Sequence, residues 1–159
     1  LDEVQAHYDR IGADVKLAPF FADLPKHIAT SHLVICRSGA STIAELAIIG
    51  RPAIMVPLPH SIDNDQLKNA ESFSTAGAGW LMQQRDTTAD EMAAFITRMR
   101  FQPEELTQAA DAAKAFARPD AADLLANLVQ KHAARKVDDN EAVADEAIAD
   151  KVGAEKVEE

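Results

Sequence analysis

Two short apolar runs, LVIC at 33–36 and AIMV at 53–56, bracket a segment that reads as a helix and closes on Gly50 and Pro52. Continuously apolar strands of this length are the pattern of parallel strands buried on both faces. Gly after the last helical residue, with Pro close behind, is the usual stop signal. Parallel neighbours require a crossover, and such crossovers are right-handed. This strand–turn–helix–strand unit commits the chain to an α/β fold around a parallel sheet.

The rest of the chain extends the unit. Residues 2–12 read as a helix with Val4, Tyr8 and Ile11 at helical spacing, stopping at Gly12. Residues 15–20 alternate as a strand would. A short helix is expected over 23–29, with Pro25 in its first turn, where a missing N–H costs nothing. The segment 41–49 is apolar nearly all round and should be well buried. A helix over 66–74 ends at Gly77, and 79–82 reads as a further strand. From Thr88 the period is helical. Thr88 and Glu91 form a capping-box pattern ahead of Met92, Phe95, Ile96 and Met99. Pro103 opens another helix, with Leu106, Ala109, Ala113 and Phe116 on one face. Pro119 separates it from a third, which carries Leu124, Leu125 and Leu128. The expectation is a Rossmann-like parallel sheet of four strands with helices on both faces, closed by a C-terminal helical run. Four strands are few for such a sheet, and the chain begins LDEV without Met, so it reads as an N-terminally truncated fragment.

Charge divides the chain. Of a net −10 over 159 residues, −7 falls on residues 137–159, which hold nine carboxylates and two lysines. The domain expected over 1–136 is near neutral, and the tail reads as an acidic, solvated and disordered extension. No basic face with interleaved aromatics marks a nucleic-acid binder. No apolar run approaches the ~20 residues needed to cross a bilayer. The single cysteine, Cys36, excludes an internal disulfide and reads as a small core residue.

Ligands of open parallel sheets bind beyond the carboxyl ends of the strands. The sequence RSGAST at 37–42 follows the first apolar run at that end. Gly39 and Ala40 let the backbone approach a ligand, and a helix beginning near Ser41 or Thr42 offers unpaired N–H groups to a phosphate. Glu45 lies one turn further. A carboxylate beside a diphosphate would be repelled, so it suits the vicinal hydroxyls of a ribose. Thr42 and Glu45 also match a capping box, and the local pattern leaves both readings open. The loop with Pro57, Pro59, His60, Ser61, Asp63, Asn64 and Asp65, then Gln66, reaches the same edge. Its amides and carboxylates suit sugar hydroxyls, or it is a polar surface loop in which Asp65 caps the next helix. A metal is not expected, because His60 has no second histidine at ligand spacing. Nor does the turn match the Gly-x-Ser-x-Gly elbow of a serine hydrolase.

Three stretches, LVICRSGASTIAELA at 33–47, GRPAIMVPLPH at 50–60 and DQLKNA at 65–70, resemble the donor-binding C-terminal domain of the MurG glycosyltransferases, family 28 enzymes of GT-B fold. The resemblance runs over about residues 1–135. It implies transfer of N-acetylglucosamine from UDP-GlcNAc to lipid I, forming lipid II for peptidoglycan. It implies an inverting attack that needs no metal or other cofactor. By resemblance the backbone of Phe21 brackets the uracil, and Ala40, Ser41, Thr42, Ile43 and Ala44 form the diphosphate-binding turn and helix start. Glu45 binds the ribose and Gln66 the GlcNAc hydroxyls. Asp65 stands where the family has Gln, and His60 matches a position near the diphosphate. The acceptor-binding domain, with the expected catalytic base, lies outside this sequence, so the chain is expected to be inactive alone. The parent is expected in the cytoplasm, peripheral on the inner membrane, with membrane contact made outside this chain. Two other functions fit: the donor-binding subunit of a split transferase, or another UDP-sugar enzyme such as an epimerase.

Overall fold

A computed structural model of the chain describes residues 1–133; the acidic tail at 137–159 lies outside the described residues. Residues 1–117 form one unit and a second begins at Arg118. The first unit runs α1 (Asp2–Ile11), α2 (Leu24–Thr30), β1 (Val34–Cys36), α3 (Ala40–Ile49), β2 (Ala53–Met55), α4 (Asp65–Thr75), β3 (Gly79–Leu81), α5 (Ala89–Arg100) and α6 (Pro103–Phe116). A 3-10 turn, Ile62–Asn64, precedes α4. In the second unit, residues 121–133 are helical.

The sheet is parallel, in the order β1-β2-β3. Val34, Ile35 and Cys36 pair with Ala53, Ile54 and Met55, which pair in turn with Gly79, Trp80 and Leu81. Side chains alternate across it. Val34, Cys36, Ala53, Met55 and Leu81 join the core with Ile43, Leu46 and Ala47 of α3 and Phe73 of α4. α6 closes that core by setting Phe116 edge-on against Phe73, with ring centroids 5.4 Å apart. On the opposite face Trp80 meets Phe95 of α5 edge-on at 5.1 Å. Helices therefore cover both faces, as expected. Leu46, Ile54, Phe73 and Met99 are fully buried, each worth about 1.5–3 kcal/mol relative to exposure. Gly79 is required by space: a Cβ there would collide with the Ala53 carbonyl oxygen of the neighbouring strand.

Three expectations are corrected. The alternating segment 15–20 forms no strand. Phe20 and Val15 are exposed, and alternation without a ladder partner does not hold a chain in a sheet. The sheet therefore has three strands among the described residues, not four. β1 is not buried on both faces either, because at the sheet edge Ile35 is 48% exposed. Likewise α3 buries Ile43, Leu46 and Ala47 but leaves Ser41, Ala44, Glu45 and Ile48 on an open stripe.

Helix ends follow their local signals. Gly12 and Gly50 take left-handed conformations that close α1 and α3. The Thr88–Glu91 capping box is formed in both directions. The Thr88 backbone N–H, and then its hydroxyl, hold the Glu91 carboxyl below its usual range.

Candidate functional site

The carboxyl ends of the three strands and the start of α3 lie along one edge. β1 leads through Arg37, Ser38 and Gly39 into α3 at Ala40. Gly39 is the N-cap and has no side chain to offer, and the first turn of α3 holds no acidic residue. The first intrahelical bond at this end runs from the Ile43 N–H to the Gly39 carbonyl at 3.0 Å. The N–H groups of Ala40, Ser41 and Thr42 thus precede the helical ladder, at the positive end of the dipole.

This placement removes the capping reading of Glu45. Because α3 starts at Ala40, Thr42 is the third helical residue and cannot be the N-cap of a Thr–Glu box. Glu45 is exposed and lies on the same stripe as Ser41, about 6 Å further along the axis. Its carboxylate is therefore not taken up in capping α3.

The loop after β2 comes to the same edge in a strained form. His60, Asp63 and Asn64 all have positive φ, at 62°, 53° and 54°. A non-glycine residue in this region costs on the order of 1 kcal/mol, less for Asn and Asp. Asn64 is the N-cap of α4 without a side-chain cap bond, and Asp65 is the first helical residue. The reading of Asp65 as the cap is corrected: the left-handed Asn64 takes that position. As an exposed acid in the first turn, Asp65 complements the dipole.

Polar bonds fix this loop to the turn before α3. Ser38, fully buried, donates from its hydroxyl to the Gln66 carbonyl at 2.7 Å. The Asn69 side-chain amide donates to the Ser38 carbonyl at 3.1 Å. The Leu58 N–H donates to the Gln66 side-chain oxygen at 2.9 Å. Gln66 is half-buried, and its NH2 remains available to a ligand. Phe21 is held differently, through α2. Its ring meets His27 edge-on at 4.8 Å, the Lys16 ammonium lies 5.6 Å from its centroid, and α2 packs on α3.

Some residues escaped the sequence reading. A cleft of about 300 Å³ is walled by Pro57, His60, Asn64, Leu67, Gln84 and Arg85, among others. Its Gln83, Gln84 and Arg85 follow β3 as the 37–42 turn follows β1, so the strand-end rule already pointed to them. Arg37 and Ser38 were legible only as members of a motif. Their work, tying one strand end to the next, depends on which strands are neighbours. Among the described residues no cluster of His, Cys, Asp and Glu is arranged to hold a metal, and no helix is long and apolar enough to cross a membrane.

Residues 1–125 match the model of the glycosyltransferase family 28 C-terminal domain. A protein of Rhodopseudomonas palustris, named UDP-N-acetylglucosamine--N-acetylmuramyl-(pentapeptide) pyrophosphoryl-undecaprenol N-acetylglucosamine transferase, is 50% identical over 129 residues, covering 81% of this chain and 35% of that protein. A Rhizobium johnstonii protein of the same name is 46% identical over 126 residues, 79% of this chain and 33% of its own length. The chain thus spans about a third of the length of the curated relatives it matches. The crystal structure of Acinetobacter baumannii MurG superposes with a TM-score of 0.76 at 32% identity, over 82% of this chain and 40% of that one. The sheet, the helices on its two faces and the matched sequence together establish that the chain belongs to the glycosyltransferase family 28 C-terminal domain family.

Proposed function

We propose that this chain is the donor-binding part of an inverting N-acetylglucosaminyltransferase that moves GlcNAc from UDP-GlcNAc to lipid I in peptidoglycan synthesis. The observation that carries the reading is the start of α3 at a strand end. It has no side-chain cap bond and no acidic residue in its first turn, with Glu45 exposed one turn further on.

In this reading the N–H groups of Ala40, Ser41 and Thr42 receive the diphosphate, with the backbone of Ile43 and Ala44 completing the turn. Glu45 accepts from the two ribose hydroxyls. The backbone at Phe21 brackets the uracil. Gln66 donates to the sugar, with Asp65 beside it and His60 toward the diphosphate. Attack by the lipid I hydroxyl on the sugar C1 releases UDP. The charge that develops on the leaving diphosphate meets the positive end of α3, already oriented before reaction. The acceptor and the base that activates it belong to parts of the enzyme outside this chain. The parent works on the cytoplasmic face of the inner membrane, where its lipid-linked acceptor is held.

Calorimetric titration of UDP, UDP-GlcNAc and UDP-glucose tests the reading. Glu45→Ala should weaken UDP itself by roughly 10- to 100-fold, the scale of a lost charged hydrogen-bond pair. Gln66→Ala should spare UDP and weaken UDP-GlcNAc about tenfold. Equal losses of both ligands in both variants would contradict the division of roles. Absence of UDP binding by the unaltered chain would contradict the reading as a whole.

A further inference from the structure

We propose that Arg37 is a positioning residue of this site. Its guanidinium ties the ends of β2 and β3 together and so holds the loop that presents Gln66 to the donor sugar. The inference deepens the donor-binding reading and rests on it.

The geometry is specific. Arg37 Nη1 donates to the carbonyls of Val56 and Pro57, each at 3.0 Å. Its Nη2 donates to the side-chain oxygen of Gln84 at 2.8 Å. Arg37 itself follows β1, Val56 and Pro57 follow β2, and Gln84 lies three residues past β3. One planar group therefore joins all three strand ends. The two carbonyls it takes up lie just beyond the last paired residue of β2, Met55, where the ladder no longer supplies donors.

The loop needs such a tie. It holds three non-glycine residues at positive φ. It meets the Gln66 side chain through the bond from the Leu58 N–H to the Gln66 side-chain oxygen. Leu58 is the residue directly after the carbonyls Arg37 holds. If Pro57 shifts, Leu58 shifts, and the Gln66 amide loses the partner that fixes which of its ends meets a ligand.

A guanidinium at this edge has an obvious rival role as a direct diphosphate ligand. The structure weighs against it, because three of the guanidinium's five N–H donors, both of those on Nη1 among them, already meet neutral protein acceptors. Arg37 still contributes positive charge, because the acceptors it meets are two backbone carbonyls and a side-chain amide, all neutral. Charge and geometry are separable, since lysine keeps the charge but cannot span three acceptors in a fixed plane.

The test uses the 159-residue chain with Arg37→Lys, Gln84→Met, Gln66→Ala and the Arg37→Lys/Gln66→Ala pair. UDP and UDP-GlcNAc are titrated, and amide hydrogen exchange is followed at Leu58. Arg37→Lys should change UDP affinity less than about twofold while removing about tenfold of the UDP-GlcNAc affinity, one lost hydrogen bond to the sugar. Adding it to Gln66→Ala should cost the sugar nothing more, because both act through the same amide. Gln84→Met removes one anchor and should shift UDP-GlcNAc in the same direction by about threefold; it serves also if Arg37→Lys does not fold. Exchange at Leu58 should quicken about tenfold or more in Arg37→Lys without ligand. Equal weakening of UDP and UDP-GlcNAc in Arg37→Lys would make Arg37 a phosphate ligand and overturn the proposal. So would wild-type behaviour of Arg37→Lys, or additive losses in the pair. If the unaltered chain binds neither nucleotide, the donor-binding reading fails. The clamp is then judged on Leu58 exchange alone: quickened exchange upholds it, and unchanged exchange overturns it.

Discussion

In the proposed reading Gln66 divides one amide between protein and ligand. Its side-chain oxygen accepts from the Leu58 N–H, which leaves its NH2 as the donor offered to a sugar. Gln66→Glu keeps the oxygen, and the loop with it, but replaces the donor by a second acceptor. UDP-GlcNAc should then weaken about tenfold while UDP and the melting temperature hold; a loss of stability instead would mean that the NH2 serves the fold. Cys36 is the opposite case, a group with no chemistry at its site. Packed against the core at the end of β1, it has its thiol pushed up to about 11 by burial. Between the ordinary thiol value of about 8.5 and that raised value, the unfolded chain gives up a proton that the folded chain keeps. Its contribution to stability is complete below about pH 8.5 and fades as pH rises through the folded value. Denaturant midpoints at pH 7 and 10 should therefore converge in Cys36→Ala relative to the unaltered chain, and a thiol reagent at pH 8 should label Cys36 only on unfolding. That a lone cysteine at a strand end belongs to the core was legible from type and place. That the Gln66 side-chain oxygen is taken up by Leu58 was not, because it depends on a partner eight residues away.

At the scale of elements, the two helices α3 and α5 begin in opposite ways, and the difference separates binding from stability. α5 opens on Thr88 with Asp90 and Glu91 in its first turn, and its capping box meets the backbone N–H groups of Thr88 and Glu91 with side chains of its own. α3 opens on Gly39 with no side-chain cap bond and no acid in its first turn, the end that the proposed reading gives to an external anion. Ala40→Asp should expose this trade. An acid at the first helical position stabilises the helix by about 0.5 kcal/mol. It also sets a negative charge where the diphosphate belongs, so UDP affinity should fall at least about tenfold. Thermal melts and titration on the same variant should move in opposite directions; a fall in both would show that the end of α3 is needed for folding and not for anions. The elements themselves were largely legible, because Gly12, Gly50, Pro25, Pro103 and the Thr88 box are local signals that act where they stand. The segment at 15–20 misled, since strand character lies in a pairing partner and not in alternation. The starts of α3 and α4 were misread for a related reason. Gly39 and Asn64 cap by backbone conformation, which a search for side-chain caps passes over.

At the scale of the whole unit, the site has no independent existence: its pieces are the ends of three strands, each three residues long. Arg37 bonds past β2 and beside β3, Ser38 reaches the start of α4, and the core beneath joins α3, α4 and α6. A ligand that binds only the folded form of residues 1–117 stabilises it by mass action. UDP at about 100 times its dissociation constant should add about 2.7 kcal/mol to the unfolding free energy, a rise of roughly 10 °C for a unit of this size. The same coupling makes Gly79 a binding residue in effect, though it lies at the far end of β3 from the site. A methyl group there meets the Ala53 carbonyl, so β3 must leave β2, carrying Gln84 away from Arg37. Gly79→Ala should lower the melting temperature without ligand and weaken UDP-GlcNAc more than UDP, since the α3 start belongs to β1 while the Gln66 loop is tied to β3. Loss of stability with both affinities unchanged would show that the strand ends hold the site without the register of the sheet behind them.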